Sequence, residues 1–67
     1  MKTAYFIHYE LRNAFNGIVL DSFNAIGTIY TNKETAEQVA VERVAEWNTH
    51  TAPMEAYYYT IGEAVIV

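Results

Sequence analysis

The two histidines are the residues whose type and spacing come nearest to acid–base chemistry. His8 stands two residues before Glu10, and alternate residues of a strand share a face, so a strand here places the imidazole beside the carboxylate. On an exposed sheet face such a pair is more often an ordinary surface contact. His50 lies far along the chain. There is no cysteine, and the three glycines stand far apart, so we expect no metal, no cofactor and no enzymatic activity.

Carboxylates and tyrosines offer a different kind of chemistry, the recognition of another protein. Two glutamates, four residues apart, fall on the polar face of a predicted helix, and three consecutive tyrosines fall in a predicted strand. A solvated helix face is the simpler interpretation of the glutamates; an acidic ridge for a basic partner is the functional one. The candidate partner-binding residues are Glu42, Glu46, Tyr57, Tyr58 and Tyr59.

Length and charge limit the classes of protein that this chain can be. Its 67 residues allow one small domain, residues 1–67, and 52% hydrophobic residues argue against disorder. A net charge of −4 argues against nucleic-acid binding and against anionic membrane surfaces. No apolar stretch approaches transmembrane length and no secretion signal is evident, so we expect a cytoplasmic protein.

Residues 31–50 carry the only clear helical pattern. Thr31 and Glu34 fit a capping box, and Pro53 is the predicted stop. His50 is expected to stabilise the C-terminal end of the helix dipole. The predicted buried stripe consists of Ala36, Val39, Ala40, Val44 and Trp47, with Arg43 at its edge.

Strand patterns lie on both sides of this helix. Residues 2–11 alternate, and the uncharged set Tyr5, Ile7, Tyr9 and Leu11 is the predicted core face. Asn16-Gly17 predicts a hairpin turn, followed by a returning strand over residues 18–23.

Two further stretches leave alternatives open. Residues 26–30 form a second strand-like run, with a bulge or close packing predicted at Gly27, and they are either a separate short strand or the continuation of a bent one. Residues 55–67 are either one long strand or two strands joined by a turn at Gly62-Glu63.

The order of these elements predicts an α+β fold. We expect an antiparallel sheet of three to five strands with one helix packed on one face, in the order β-β-(β)-α-β-(β). One helix covers one face only, and tyrosines occur on both strand parities. Aromatic side chains should therefore remain on the open face, where they commonly mark an interface.

Two resemblances to known groups follow from short segments. Most of the chain resembles small domains of unassigned function that are common in phages and bacteria. The resemblance lies in residues 5–11, in residues 26–31 leading into 33–37, and in residues 57–63. This resemblance implies a fold and no activity. The start of the chain and its length also resemble the small anti-CRISPR proteins that block type I-F surveillance complexes. The residues that carry this resemblance are Met1-Lys2, Ala4-Tyr5 and Ile7. That similarity carries over no functional residue.

Three hypotheses of function follow. The first is a non-enzymatic protein-binding module, a phage or mobile-element inhibitor of a host defence complex such as a CRISPR effector, acting in the host cytoplasm. The second is a homodimer joined through open sheet faces or through the edge of residues 64–67. The third is a small ligand-binding or catalytic domain that uses His8 and Glu10.

Overall fold

The structure is a computed structural model that describes residues 2–25 and 28–66. Strand β1 (Lys2–Asn13) is followed by β2 (Val19–Asn24), helix α1 (Lys33–Asn48) and β3 (Glu55–Ile66). The strands form one antiparallel sheet in the order β2-β1-β3. The predicted α+β class with one helix on a three-stranded sheet is therefore confirmed.

The side chains of the central strand β1 alternate between the two faces of the sheet, and the face predicted as the core is the one that the helix covers. Ile7 and Tyr9 are buried under α1, with Tyr5 packed beside them. The helix meets them through Ala36 and Ala40, which have no exposed surface. Two alanines let the helix backbone approach the sheet closely, so α1 lies over β1 and β3.

Helix α1 begins one residue later than the predicted capping box implies. Its N-cap is Asn32, whose Oδ1 accepts a hydrogen bond of 2.8 Å from the Glu34 amide. The capping box at Thr31 is therefore wrong, because Asn caps a helix as well as Thr does and stands one residue nearer to its start. Glu34 then occupies the second helical position, where its charge still complements the helix dipole.

The helix also ends before the predicted stop at Pro53. Thr49 is the C-cap, and its amide and hydroxyl both donate to the Glu46 carbonyl, at 3.1 and 2.5 Å. The last turn is thus closed by tight local bonds, and the proline is not needed to end it. His50 follows the C-cap directly, and its amide donates to the Trp47 carbonyl at 3.0 Å, so it lies at the end of the helix, just past the last turn.

The hairpin between β1 and β2 turns at Asn16-Gly17 as predicted. Gly17 adopts a φ of +74°, a conformation that favours glycine. The Asn13 side chain accepts hydrogen bonds from the amides of Phe15 and Asn16, at 2.9 and 3.2 Å. A bulge between Leu11 and Arg12 then shifts the register of the two strands.

The two stretches with open alternatives are resolved differently. Residues 28–30 form no strand; Tyr30 makes an isolated antiparallel bridge with Tyr5 instead, and Ile26 and Gly27 lie outside the described residues. Residues 55–66 form one strand without a turn at Gly62. The ring of Phe6 lies across Gly62, where a side chain would otherwise stand, so the glycine is covered by its cross-strand neighbour.

Candidate functional site

An aromatic cluster on the covered face joins the end of the helix to all three strands. The Trp47 ring lies 4.7 Å from Tyr9, 5.1 Å from Tyr57 and 5.9 Å from Phe23, measured between ring centroids. These tilted and edge-on contacts are the arrangements that aromatic rings prefer. The Asn48 side chain adds a hydrogen bond of 2.8 Å from the Tyr57 amide to its Oδ1. Tyr57 is therefore a structural residue that anchors β3 to the helix.

Tyr9 has a perturbed environment within this cluster. Its hydroxyl is buried and makes no hydrogen bond of ordinary geometry among the described residues, with the Arg43 side chain lying nearby. Burial raises the pKa of the Tyr9 phenol above its usual value of 10.0, because the phenolate would lose its hydration. The nearby Arg43 guanidinium opposes this rise in pKa.

Tyr9→Phe is expected to raise the free energy of unfolding by about 1 kcal/mol at neutral pH, because it removes a buried hydroxyl without a partner. In the wild type the folded state keeps its proton above pH 10, where the unfolded state releases it, so stability falls as pH rises through the folded-state pKa. Tyr9→Phe should make this alkaline fall shallower in urea titrations between pH 7 and 11. Tyr58→Phe, at an exposed phenol, is the matched control; equal behaviour of the two variants would contradict the prediction.

The open face of the sheet carries the residues considered for acid–base chemistry. His8 Nδ1 lies 2.6 Å from Asn24 Oδ1, and Glu10 Oε1 lies 2.5 Å from Arg12 Nη2. The Arg12 guanidinium in turn stands 4.8 Å from the centre of the Tyr58 ring. The structure therefore joins His8 and Glu10 to other residues, not to each other, and their hydrogen bonds do not form the proton-transferring pair that their spacing suggested.

The five predicted partner-binding residues lie on different surfaces. Glu42 and Glu46 are exposed on the helix. Tyr57 and Tyr59 are half-buried on the helix side of the sheet, where Tyr59 packs against the core. Tyr58 is exposed on the opposite face. The structure therefore does not gather these five side chains into one contact surface.

The hairpin end of the molecule carries exposed apolar residues that the sequence analysis missed as a site. Phe15 is 79% exposed, Ile18 60%, Leu20 51% and Val19 45%. We call these four side chains the hairpin surface. Met54, also exposed, adjoins it through the hydrogen bond from the Ala14 amide to its carbonyl. The signal was the uninterrupted apolar run Ile18-Val19-Leu20 just after a turn, where polar residues are usual.

The hairpin surface is exposed to solvent because the helix covers a different part of the sheet. Helix α1 covers β1 and β3, and it reaches β2 through the contact of Trp47 with Phe23. Every residue of β2 is exposed. The sheet thus extends past the helix on its β2 side, and the apolar residues of that side meet solvent.

Two open clefts lie on the surface of the described residues. One, of about 330 Å³, is lined by Phe23, Trp47, His50, Thr51 and Tyr57. The other, of about 410 Å³, opens beside Ala4, Phe6 and Ile29. Their walls are largely aromatic and aliphatic, which suits apolar groups.

Within residues 2–25 and 28–66, no three His, Cys, Asp or Glu side chains are grouped so that they could hold a metal ion. No helix in this part of the chain has the length and apolar character needed to cross a membrane. Comparison with known protein families, with curated proteins and with solved structures finds no match to this chain.

Proposed function

We propose that this protein is a non-enzymatic protein-binding module that meets its partner through the hairpin surface. The observation that carries the proposal is the exposure of Phe15, Ile18, Val19 and Leu20 at one end of the molecule. Burying one such side chain is worth about 1.5–3 kcal/mol, a gain that folding leaves unused here. Contiguous exposed apolar side chains commonly mark a protein interface.

The negative charge of the chain indicates the kind of partner surface that would fit it. The chain carries a net charge of −4, and Glu42 and Glu46 are exposed on the helix. A partner surface that offers an apolar pocket bordered by lysine or arginine residues would fit both features. In this arrangement the glutamates steer the encounter and the hairpin surface supplies most of the binding energy.

The narrower form of the proposal is an inhibitor of a host defence complex, with a CRISPR effector as the specific candidate. The resemblance of the N-terminal residues and the chain length to small anti-CRISPR proteins supports it. CRISPR effectors hold nucleic acid in positively charged channels, which an acidic protein can approach. Such an inhibitor would bind stoichiometrically in the host cytoplasm.

The test uses purified type I-F surveillance complex. The wild-type chain is expected to bind it and to block its loading on target DNA at a one-to-one ratio. The double variant Phe15→Ser/Ile18→Ser should bind about 100-fold more weakly, because two apolar contacts are lost. The measurement is isothermal titration calorimetry, with target-DNA binding followed in parallel.

Val41→Ser is the matched control, because Val41 is also exposed but lies on the helix. It should bind as the wild type does. If Phe15→Ser/Ile18→Ser binds as tightly as Val41→Ser, the hairpin surface is not the contact. If the wild type does not bind the complex at all, the CRISPR-effector form of the proposal is rejected.

A further inference from the structure

Beyond Tyr57, the outer edge of β3 offers backbone groups that have no hydrogen-bond partner among the described residues. Strand β3 pairs with β1 along one side only. The Tyr57 amide donates to Asn48 and not to β1, which shows that odd-numbered residues of β3 direct their N–H and C=O groups outward. The outward backbone N–H and C=O groups farther along β3 therefore have no hydrogen-bond partner among residues 2–25 and 28–66. They belong to Tyr59, Ile61, Glu63 and Val65.

The opposite edge of the sheet is protected in a way that this edge is not. Strand β2 is half the length of β3, and a bulge interrupts its pairing. The outward Ser22 amide already donates to Asp21 Oδ1 at 2.9 Å. Short strands and bulges are among the devices that prevent edge pairing. Residues 59–65 of β3 contain no proline, no lysine and no bulge.

We propose that a second copy of this chain pairs antiparallel with residues 59–65 of β3, forming a continuous six-stranded sheet. A two-fold axis brings the same segment of both copies together, so its side chains must pair favourably with one another. Because outward groups alternate, the axis must pass through a residue of the segment. The single charged residue of the segment is Glu63. With the axis through Ile61 it lies opposite Tyr59 of the second copy, and with the axis through Gly62 it lies opposite Ile61.

This self-compatibility favours a second copy as the occupant. In neither register are like charges placed directly opposite; with the axis through Gly62 the two Glu63 residues are diagonal neighbours, and with the axis through Ile61 they lie farther apart. With the axis through Gly62, Val65, which is 60% exposed, gains Tyr59 of the second copy as its cross-strand neighbour. A chain of 67 residues has a small core, so added strand pairing also supplements a marginal stability.

The dimer is independent of the hairpin surface. Residues 59–65 of β3 pair with the first half of β1, whereas the hairpin follows its second half. The two sites therefore lie toward opposite ends of a molecule that is 43 Å long. Antiparallel pairing directs the two hairpin surfaces away from each other, so the dimer presents two separate binding ends.

The experiment compares Glu63→Pro with Ser22→Pro by multi-angle light scattering, over protein concentrations up to the millimolar range. Proline removes an outward N–H at each position without touching the bonds to β1, as edge strands tolerate. We expect a dimer for the wild type and for Ser22→Pro, and a monomer for Glu63→Pro with unchanged near-ultraviolet circular dichroism from Trp47. A monomeric wild type overturns the proposal, as does a Glu63→Pro variant that remains dimeric.

Hydrogen exchange on the unmodified chain provides a second readout if Glu63→Pro does not fold. The amides of Tyr59, Ile61, Glu63 and Val65 should become protected as protein concentration rises. The amides of Tyr58 and Thr60, which already face β1, should be protected at every concentration. Outward amides that exchange at the same rate at all concentrations overturn the proposal.

Discussion

Replacing Trp47 with alanine is expected to lower the free energy of unfolding by about 3–5 kcal/mol, the largest loss for any single substitution considered for this protein. The Trp47 ring contacts Tyr9, Phe23 and Tyr57, and so joins the helix to all three strands. Removing it takes away all three ring contacts and widens the cleft that Trp47 lines together with Phe23 and Tyr57. At about 0.05–0.15 kcal/mol per residue, a chain of 67 residues is stable by about 3–10 kcal/mol, so this loss should remove a large share of its stability.

Urea unfolding followed by far-ultraviolet circular dichroism measures this loss, because the signal does not depend on the tryptophan. Val41→Ala is the matched control: Val41 lies on the same helix and is exposed, so its loss should be within about 0.5 kcal/mol. Trp47→Phe should fall between the two, since it keeps one aromatic ring. Similar midpoints for Trp47→Ala and Val41→Ala would show that Trp47 does not hold the layers together.

Ile7→Ala is expected to cost about 2–5 kcal/mol, the second largest effect. Ile7 is 1% exposed in the centre of the sheet and packs in the core with Ala36 and Ala40 of the helix. Alanine side chains cannot extend to fill the space that the lost methyl and methylene groups leave. The cost should therefore include a cavity term as well as the lost transfer free energy.

The matched control removes the same atoms from a different environment. Ile18→Ala, at a position of the hairpin surface that is 60% exposed, should change the free energy of unfolding by less than about 0.5 kcal/mol. Both variants are measured by the same urea titration. A large loss in Ile18→Ala, or a small one in Ile7→Ala, would mean that the core lies elsewhere.

Much of the fold is predictable because local patterns and packing agree. The alternation of Tyr5, Ile7 and Tyr9 selects the face that the helix covers. The spacing of Ala36 and Ala40 places both on the buried side of the helix. Asn16-Gly17 supplies the positive φ that a tight hairpin requires. Each of these signals comes from a few neighbouring residues and is reinforced by burial.

The errors arise where neighbouring residues compete or where distant contacts decide. Thr31 and Asn32 are both good caps, and a sequence pattern does not choose between adjacent ones. The continuity of β3 through Gly62 depends on Phe6, which reaches the glycine only once the strands have paired. The bridge of Tyr30 to Tyr5 is likewise a tertiary contact.

The candidate site was harder to predict than the fold. Strand parity correctly separates Tyr58 from Tyr57 and Tyr59, yet their exposure depends on the position of the helix above the sheet. Because α1 lies over β1 and β3, bare apolar area is concentrated at the hairpin. The run Ile18-Val19-Leu20 carried a local signal, but it also fits the start of an ordinary strand.

The central claim is that the apolar hairpin surface is unnecessary for folding and free for a partner. The most direct test is the free energy of unfolding of Phe15→Ser/Ile18→Ser, measured in urea at low protein concentration. Both side chains are more than half exposed, so we predict a value within about 0.5 kcal/mol of the wild type. A loss comparable to that of Ile7→Ala would show that these side chains belong to the core, and would contradict the account.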